Sequence, residues 1–330
     1  MINIGLIGLG RWGINYLKTI RLINGINLKW ISALSGSTIK FSLELISERD
    51  KINYTKKYSD MLLDKSLDAV IISTPVSTHY EIAKKSLLAK KHVLCEKPVV
   101  LTSKELNELI SIAKKNNLVF MPAHLHLYNP AISRLKVDIE SGKFGKIYYI
   151  RTIGTGFGPV RQDISAFWDI MIHDCYIIHY LIGSNPLSIY ADGGAYLNRG
   201  IEDIAMLNME FKDKIVTTSF VSWLHPEKKR KIIVSAEKML AVVDDYAKNK
   251  LIYYKNTGVP DKARVKKELN PEVQNLCPEN PLNLQLKAFT ESIEGISLGN
   301  VKYNLSDLVA VTSIMERAHK LIISKIMSRN

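Results

Sequence analysis

The sequence is short of cysteine: Cys95, Cys175 and Cys277 are the only three in 330 residues. They are odd in number and far apart, so they supply neither a disulfide framework nor a zinc-ligand spacing. They suit a reducing compartment, and a cytoplasmic location is expected. Long apolar runs are missing as well. No uninterrupted stretch approaches the ~18 residues that read as a membrane-spanning helix, and the first residues read as a strand rather than a leader, so no membrane partner is expected. Low-complexity tracts and fixed-period repeats are absent, which excludes solenoids and propellers. Acidic residues are the minority, 32 against 45 Lys and Arg, for a net charge of +13. The lysines gather into no basic arm or aromatic-studded patch, so nucleic acid is not the expected partner. An anionic cofactor with an anionic small-molecule substrate accounts for the balance, as does a lysine-rich surface with no partner at all.

What is present begins at the N-terminus. The chain is long enough for two domains, each with its own core. Residues 2–7 form a short apolar run of the kind a buried parallel strand needs. It leads into Gly8-Leu9-Gly10-Arg11-Trp12-Gly13, a G-x-G-x-x-G, and Tyr16, Leu17, Ile20 and Ile23 then recur at helical spacing. Strand, glycine turn and helix in that order make a dinucleotide fingerprint. Gly8 permits the tight turn, Gly10 lets backbone approach a pyrophosphate, and Gly13 lets the helix pack on the strand. Arg11 and Trp12 belong to the same cofactor-binding loop.

Residues 28–34 read as the second strand, at whose end an acid commonly holds the ribose hydroxyls of NAD. None stands here. Ser35, Ser37, Thr38 and Lys40, with Arg11 nearby, favour a 2′-phosphate and therefore NADP, NAD held by backbone contacts being the alternative. After a helix at 39–48, the strand at 67–72 ends in Ser73-Thr74-Pro75, and Thr78-His79-Tyr80-Glu81 opens the next helix with a capping-box pattern. Thr74 and Pro75 are expected to line the cofactor crevice beside Ser73. His79 is expected near the nicotinamide ribose or the phosphates, a capping or surface role being the other reading. Residues 92–95 form a strand carrying Glu96-Lys97-Pro98 at its carboxyl end, Thr102 caps a helix with Glu105, and 118–121 form the last strand. The alternation predicts a doubly wound parallel sheet, a Rossmann domain over residues 1–122.

From residue 123 to 330 the pattern is α+β. Alternating segments at 146–152, 205–211, 215–221, 231–234, 240–243 and 251–254, with a hairpin turn at Lys212-Asp213, predict an open mixed or antiparallel sheet with helices on one face. Helices are expected at 131–140, 167–181, 282–293 and 306–324, the last packing back on the Rossmann domain, and 259–281 reads as a surface loop. The uncovered sheet face suits a second copy of the chain, so a homo-oligomer, dimer or tetramer, is expected.

With these residues in view, the chain resembles the Gfo/Idh/MocA oxidoreductase family, the sugar and cyclitol dehydrogenases related to glucose–fructose oxidoreductase. The resemblance rests on the glycine motif, Ser73-Thr74-Pro75 with His79, Glu96-Lys97-Pro98, and Asp169-x-x-x-His173. It extends over essentially the whole chain. The stretches 158–161, 168–174 and 222–230, with Asp244 and Asp245, look like a branch thought to act on nucleotide-linked or otherwise modified sugars. The resemblance implies that Lys97, Asp169 and His173 form the catalytic group. The chemistry suits them: oxidising a secondary alcohol needs a hydride acceptor, a base for the hydroxyl proton and a donor or positive charge for the developing alkoxide. Lys97 can hold that oxygen and, if burial lowers its pKa, move a proton. His173 titrates near neutrality. Asp169, four residues earlier, shares a helix face and can orient the imidazole. Which of Lys97 and His173 takes the proton stays open.

His124, Tyr128, Arg161, Trp168 and His173 are the candidate substrate contacts. Arg161 suits a carboxylate or phosphate, or equally a structural ion pair, and Tyr128 and Trp168 equally suit a core. Leu127 stands where many relatives carry Arg, and Tyr176 where Asp is common, so the substrate is expected to differ from that of better-known members. His124-x-His126 with Asp169, His173 and Asp174 has some metal-ligand character. A metal reading leaves the glycine turn and Glu96-Lys97-Pro98 unexplained, and no metal is expected. The expected activity is an NAD(P)-dependent oxidoreductase interconverting a secondary alcohol and a ketone on a nucleotide-linked sugar. A dehydrogenase or reductase of a free sugar, cyclitol or imine, and a non-catalytic nucleotide-binding regulator, are the alternatives.

Overall fold

The computed structural model describes residues 1–35, 52–158, 160–198, 200–255, 270–276, 278–295 and 304–329. They form two compact units, Met1–Tyr128 with Glu279–Thr312, and Asn129–Pro278 with Ser313–Asn330. The first unit therefore runs past Pro122 and takes in a C-terminal stretch.

In the first unit, β1 (Ile2–Ile7), β2 (Ile26–Ser32), β3 (Asn53–Thr55), β4 (Ala69–Ile72), β5 (His92–Cys95) and β6 (Phe120–Pro122) form a six-stranded sheet in the order β3-β2-β1-β4-β5-β6. Every neighbouring pair is parallel. All four residues of β4 are buried, as a strand covered on both faces requires. The order reverses between β1 and β4, the place where the carboxyl ends of such a sheet open a ligand crevice. Helices α1 (Arg11–Ile20), α2 (Tyr58–Leu62), α3 (His79–Leu88) and α4 (Ser103–Lys115) join the strands. Thr102 caps α4 as its sequence predicts, accepting the Glu105 N–H at 3.3 Å and donating to the Glu105 carboxylate at 2.8 Å. The capping box expected at Thr78 does not form. A 3₁₀ turn over Val76–Thr78 precedes α3, and the Thr78 hydroxyl donates backward to the Pro75 carbonyl at 2.7 Å. The helix expected at 39–48 lies outside the described residues.

The second unit holds an eight-stranded sheet: β7 (Ile147–Phe157), β8 (Ser188–Gly194), β9 (Ile204–Glu210), β10 (Val216–Ser222), β11 (Leu224–Ala236), β12 (Met239–Asp244), β13 (Leu251–Lys255) and β14 (Pro271–Val273). Its order is β14-β13-β12-β11-β7-β10-β9-β8, antiparallel except where β10 runs parallel to β7. The β9–β10 hairpin turns through Lys212–Lys214, with Asp213 at φ 58°. Ala205, Leu207 and Met209 face inward while Met206, Asn208 and Glu210 face out, the period-2 pattern the sequence carries. Two edge strands escape that pattern. β8 ends in Asp-Gly-Gly, poor strand formers, and is held by pairing with β9. β14 starts at Pro271 inside the expected loop, where a sheet edge tolerates the missing N–H.

Helix α5 (Pro130–Glu140) is capped by Asn129, whose side-chain oxygen accepts the Ala131 N–H at 2.9 Å. Helix α6 (Ile172–Ile182) follows a π-wound turn over Phe167–Met171, so the expected helix at 167–181 exists but opens with a widened turn. Helix α7 (Pro281–Ile293) belongs to the first unit; α8 (Leu305–Arg329) starts there and continues in the second. Among the described residues no helix is long and apolar enough to cross a membrane.

Candidate active site

The glycine turn is built by close approach. Gly8 has φ 95°, and a Cβ there would stand 2.8 Å from the Ser73 carbonyl oxygen. A Cβ on Gly13 would come within 2.1 Å of the Gly8 carbonyl oxygen, so α1 rests on the turn only because that position has no side chain. Ser73 brackets the turn, its hydroxyl donating to the Gly8 carbonyl at 2.8 Å. A Cβ on Gly10 would meet nothing within 4 Å, and the first turn of α1 carries no acidic residue. Open space over a helix start without a repelling carboxylate fits a pyrophosphate. Trp12 is partly exposed beside it. Ser35 stands three residues past the end of β2, while Ser37, Thr38 and Lys40 lie outside the described residues.

His79 is buried, and its ring nitrogens face two carbonyl oxygens, Nδ1 to Pro98 at 2.9 Å and Nε2 to Thr74 at 2.7 Å. It thereby ties the loop after β4, with Thr74 and Pro75, to the turn after β5. At that second turn Glu96 is 9% exposed; one carboxylate oxygen accepts from the Tyr16 hydroxyl at 2.8 Å and the other from the Lys97 N–H at 3.2 Å. Lys97 itself is half-buried. His124 is buried after β6, and burial, then the positive charge of Lys97, holds its pKa well below the ordinary histidine range. His124 is thus a neutral imidazole. It sits in the loop before the 3₁₀ turn Leu125–Tyr128, which carries His126, so the two histidines do not lie on one strand. Among the described residues no group of three or more His, Cys, Asp or Glu could hold a metal. Leu127 and Tyr128 are buried in the same turn.

In the second unit, Arg161 is committed to two carboxylates. Its Nε and Nη2 reach Asp163 at 3.0 and 2.6 Å, and Nη1 reaches Asp169 at 3.2 Å. These two neighbours outweigh its single charge, so Arg161 orients Asp169 and is a poor anchor for a further anion. Trp168 is buried, edge-on to Phe167 and His319 at 5.6 and 5.7 Å. The imidazole of His319 reaches Glu202 at 3.1 Å. His173 is half-buried at the start of α6, and Tyr176 is buried one turn on. Asp174 is fully buried, 2.8 Å from Arg230 on β11.

The polar roles of Tyr16 and Gln285, and the pairing of Asp174 with Arg230, are not marked by the sequence pattern. Tyr16 counted there only as an apolar position of α1. For Gln285 an indirect signal existed: it interrupts the buried stripe Leu282, Leu286 and Phe289 of α7 with an amide.

The architecture and these motifs agree with comparison to known proteins. A family model described as an oxidoreductase family with an NAD-binding Rossmann fold matches residues 2–124, and the GFO/IDH/MocA C-terminal domain matches residues 132–241. The chain belongs to the GFO/IDH/MocA oxidoreductase family. It is 30% identical over 229 residues to the UDP-N-acetylglucosamine 3-dehydrogenase of Acidithiobacillus ferrooxidans, a match covering 69% of this chain and 70% of that one. An uncharacterized oxidoreductase of Bacillus subtilis is 29% identical over 220 residues, or 63% of this chain. The chain spans 63% of the length of that relative, a little under two thirds. In fold, the solved Acidithiobacillus enzyme superposes with a TM-score of 0.83 at 23% identity, covering 98% of this chain and 99% of that one.

Proposed function

We propose that the protein is an NAD(P)-dependent oxidoreductase that interconverts a secondary alcohol and a ketone on a nucleotide-linked sugar. The observation that carries this reading is Lys97, at the carboxyl end of β5, with its N–H on the Glu96 carboxylate and its charge beside a neutral His124. The glycine turn of the same unit leaves an open, acid-free helix start for the cofactor. When bound, the nicotinamide supplies the hydride acceptor or donor. Lys97 holds the substrate oxygen as it develops negative charge, and His124, neutral, lends a hydrogen bond without a competing cation. His173, with Asp169 held by Arg161, takes or returns the hydroxyl proton. NADP is the proposed cofactor, because β2 ends in Ser32 and is followed by Ala33, Leu34 and Ser35 with no acid to refuse a 2′-phosphate.

The test is nicotinamide absorbance during incubation of the protein with NAD⁺ or NADP⁺ and a panel of nucleotide sugars, free sugars and cyclitols. Turnover on a nucleotide sugar, with kcat/KM higher for NADP⁺, is the expected result. Cofactor binding without turnover in either direction would favour a nucleotide-binding regulator.

A second copy of the chain is the proposed partner of the open sheet face. Ile233, Val242, Ile252 and Val273 stand side by side across β11, β12, β13 and β14, none of them fully buried. Light scattering is expected to give at least twice the 37.3 kDa chain mass, and Val242→Asp to give the single-chain mass. A wild-type monomer would remove the proposal.

A further inference from the structure

Tyr16, Glu96 and Gln285 come from α1, the end of β5 and α7, and their side chains meet in the interior of the first unit. Tyr16 and Gln285 are both 0% exposed. Burial, then the charge of Glu96, pushes the Tyr16 phenol well above its ordinary pKa, so the hydroxyl keeps its proton. That one proton goes to Glu96 at 2.8 Å. The Gln285 amide stands 3.3 Å from the same hydroxyl oxygen and can only donate to it through its NH₂ group. Its carbonyl oxygen then turns onto the N–H groups of His124 at 3.1 Å and Leu125 at 3.3 Å. The His124 N–H also lies 3.0 Å from the Pro122 carbonyl, so Leu125 makes the cleaner bond.

A continuous run of hydrogen bonds results, from the Leu125 N–H through Gln285 and Tyr16 to the Glu96 carboxylate, which also holds the Lys97 N–H. Both chain positions that carry the proposed chemistry of this unit, Lys97 and His124, are thus fixed to one another through a helix from the far end of the sequence. An aliphatic side chain at position 285 would continue the apolar stripe of α7 at no desolvation cost. The amide therefore has to be explained by what it orients, and buried, fully paired networks specify a single geometry.

We propose that Tyr16 and Gln285 are positioning residues, holding the Glu96–Lys97 turn and the His124 backbone in the geometry used for proton and oxyanion handling; this rests on the reading of Lys97 given above. A displacement of ~1 Å at a reacting group can cost ~10²-fold in rate.

Tyr16→Phe and Gln285→Met keep the buried volume and remove the hydrogen bonds. Amide hydrogen exchange of the full chain, without cofactor or substrate, is the first readout. Exchange is expected to quicken about tenfold at Lys97 in Tyr16→Phe and at Leu125 in Gln285→Met, with β1 and β4 unchanged. No change at either amide, or an equal loss of protection throughout the sheet, would overturn the proposal. The second readout is kinetic, on whichever nucleotide sugar the wild type turns over. It is expected to show kcat down about 10- to 100-fold, with cofactor KM and fluorescence-measured NADPH affinity within about twofold. A raised KM at unchanged kcat would overturn it too. A wild type that turns over none of these sugars counts against the proposed function alone, and the exchange result then decides the network.

Discussion

Lys97→Met is expected to lower turnover by roughly 10³-fold or more while leaving NADPH affinity within about twofold. Methionine keeps most of the apolar stem and removes only the ammonium group, so the packing of a half-buried side chain survives. Two bonds that shape the turn are untouched, because Glu96 accepts from the Lys97 main chain and from the Tyr16 hydroxyl. The glycine turn is likewise independent of it, being bracketed by Ser73. Loss of the charge also relieves His124, but Lys97 is the lesser of the two influences on that ring and burial the greater. His124 is therefore expected to stay neutral in the variant and not to replace the lost charge. Steady-state kinetics on a nucleotide sugar, paired with NADPH fluorescence, checks the result. Turnover within tenfold of wild type would take Lys97 out of the mechanism, and lost cofactor affinity would make it a binding residue instead.

The parts of this arrangement that short-range pattern encodes were legible in the residue order. Ile2 to Gly13 writes a strand, a turn and a helix start in one stretch, because Gly8 and Gly13 each answer a local steric demand. The alternation in β9 and β10 is equally local. What pattern does not encode is partnership across long separations. Tyr16 and Gln285 lie 269 positions apart, and a tyrosine whose ring satisfies helical periodicity hides the fact that its hydroxyl needs a partner. Arg161 suits a ligand anion and a structural ion pair equally in the sequence, and only the fold supplies Asp163 and Asp169 as its partners. His79 reads as a surface or cofactor-facing histidine, yet its ring is spent on two backbone carbonyls. The widened turn at Phe167–Met171 has no sequence mark beyond an ordinary apolar helix, since π winding is a response to packing rather than a propensity. In each case the missing information is a neighbour that folding supplies.

The largest effect on stability is expected at Asp174. Asp174→Ala should destabilise the second unit by about 3–5 kcal/mol, because it strands the buried Arg230 guanidinium 2.8 Å from where the carboxylate was. Yet the pair is not a net gain in the wild type. Burial pushes the Asp174 carboxyl up from 3.8 to about 6, and Arg230 and the Thr152 hydroxyl only partly oppose it. Desolvation outweighs attraction, by an amount corresponding to ~3 kcal/mol between the protonated and ionised forms. The sign of the pH dependence follows. The folded pKa lies above the unfolded one, so the contribution of this group is full below about pH 4 and is lost as pH rises through about 6. Asp138 runs the other way: hydrogen bonds from Tyr253 and Arg134 lower its pKa, and its contribution is lost as pH falls. Urea unfolding of wild type and Asp174→Asn from pH 4 to 7 separates the two, since only the difference between them isolates Asp174. That difference should shrink as pH rises across the window. The double variant Asp174→Leu with Arg230→Met should be less destabilised than the sum of its single variants, because it removes both buried charges together. A double variant as unstable as that sum, or an Asp174→Ala protein within 1 kcal/mol of wild type, would show that the pair is solvated rather than buried. If the expected order holds, the ion pair is kept at a cost in stability. The pair then ties the first turn of α6, which also carries His173, to β11.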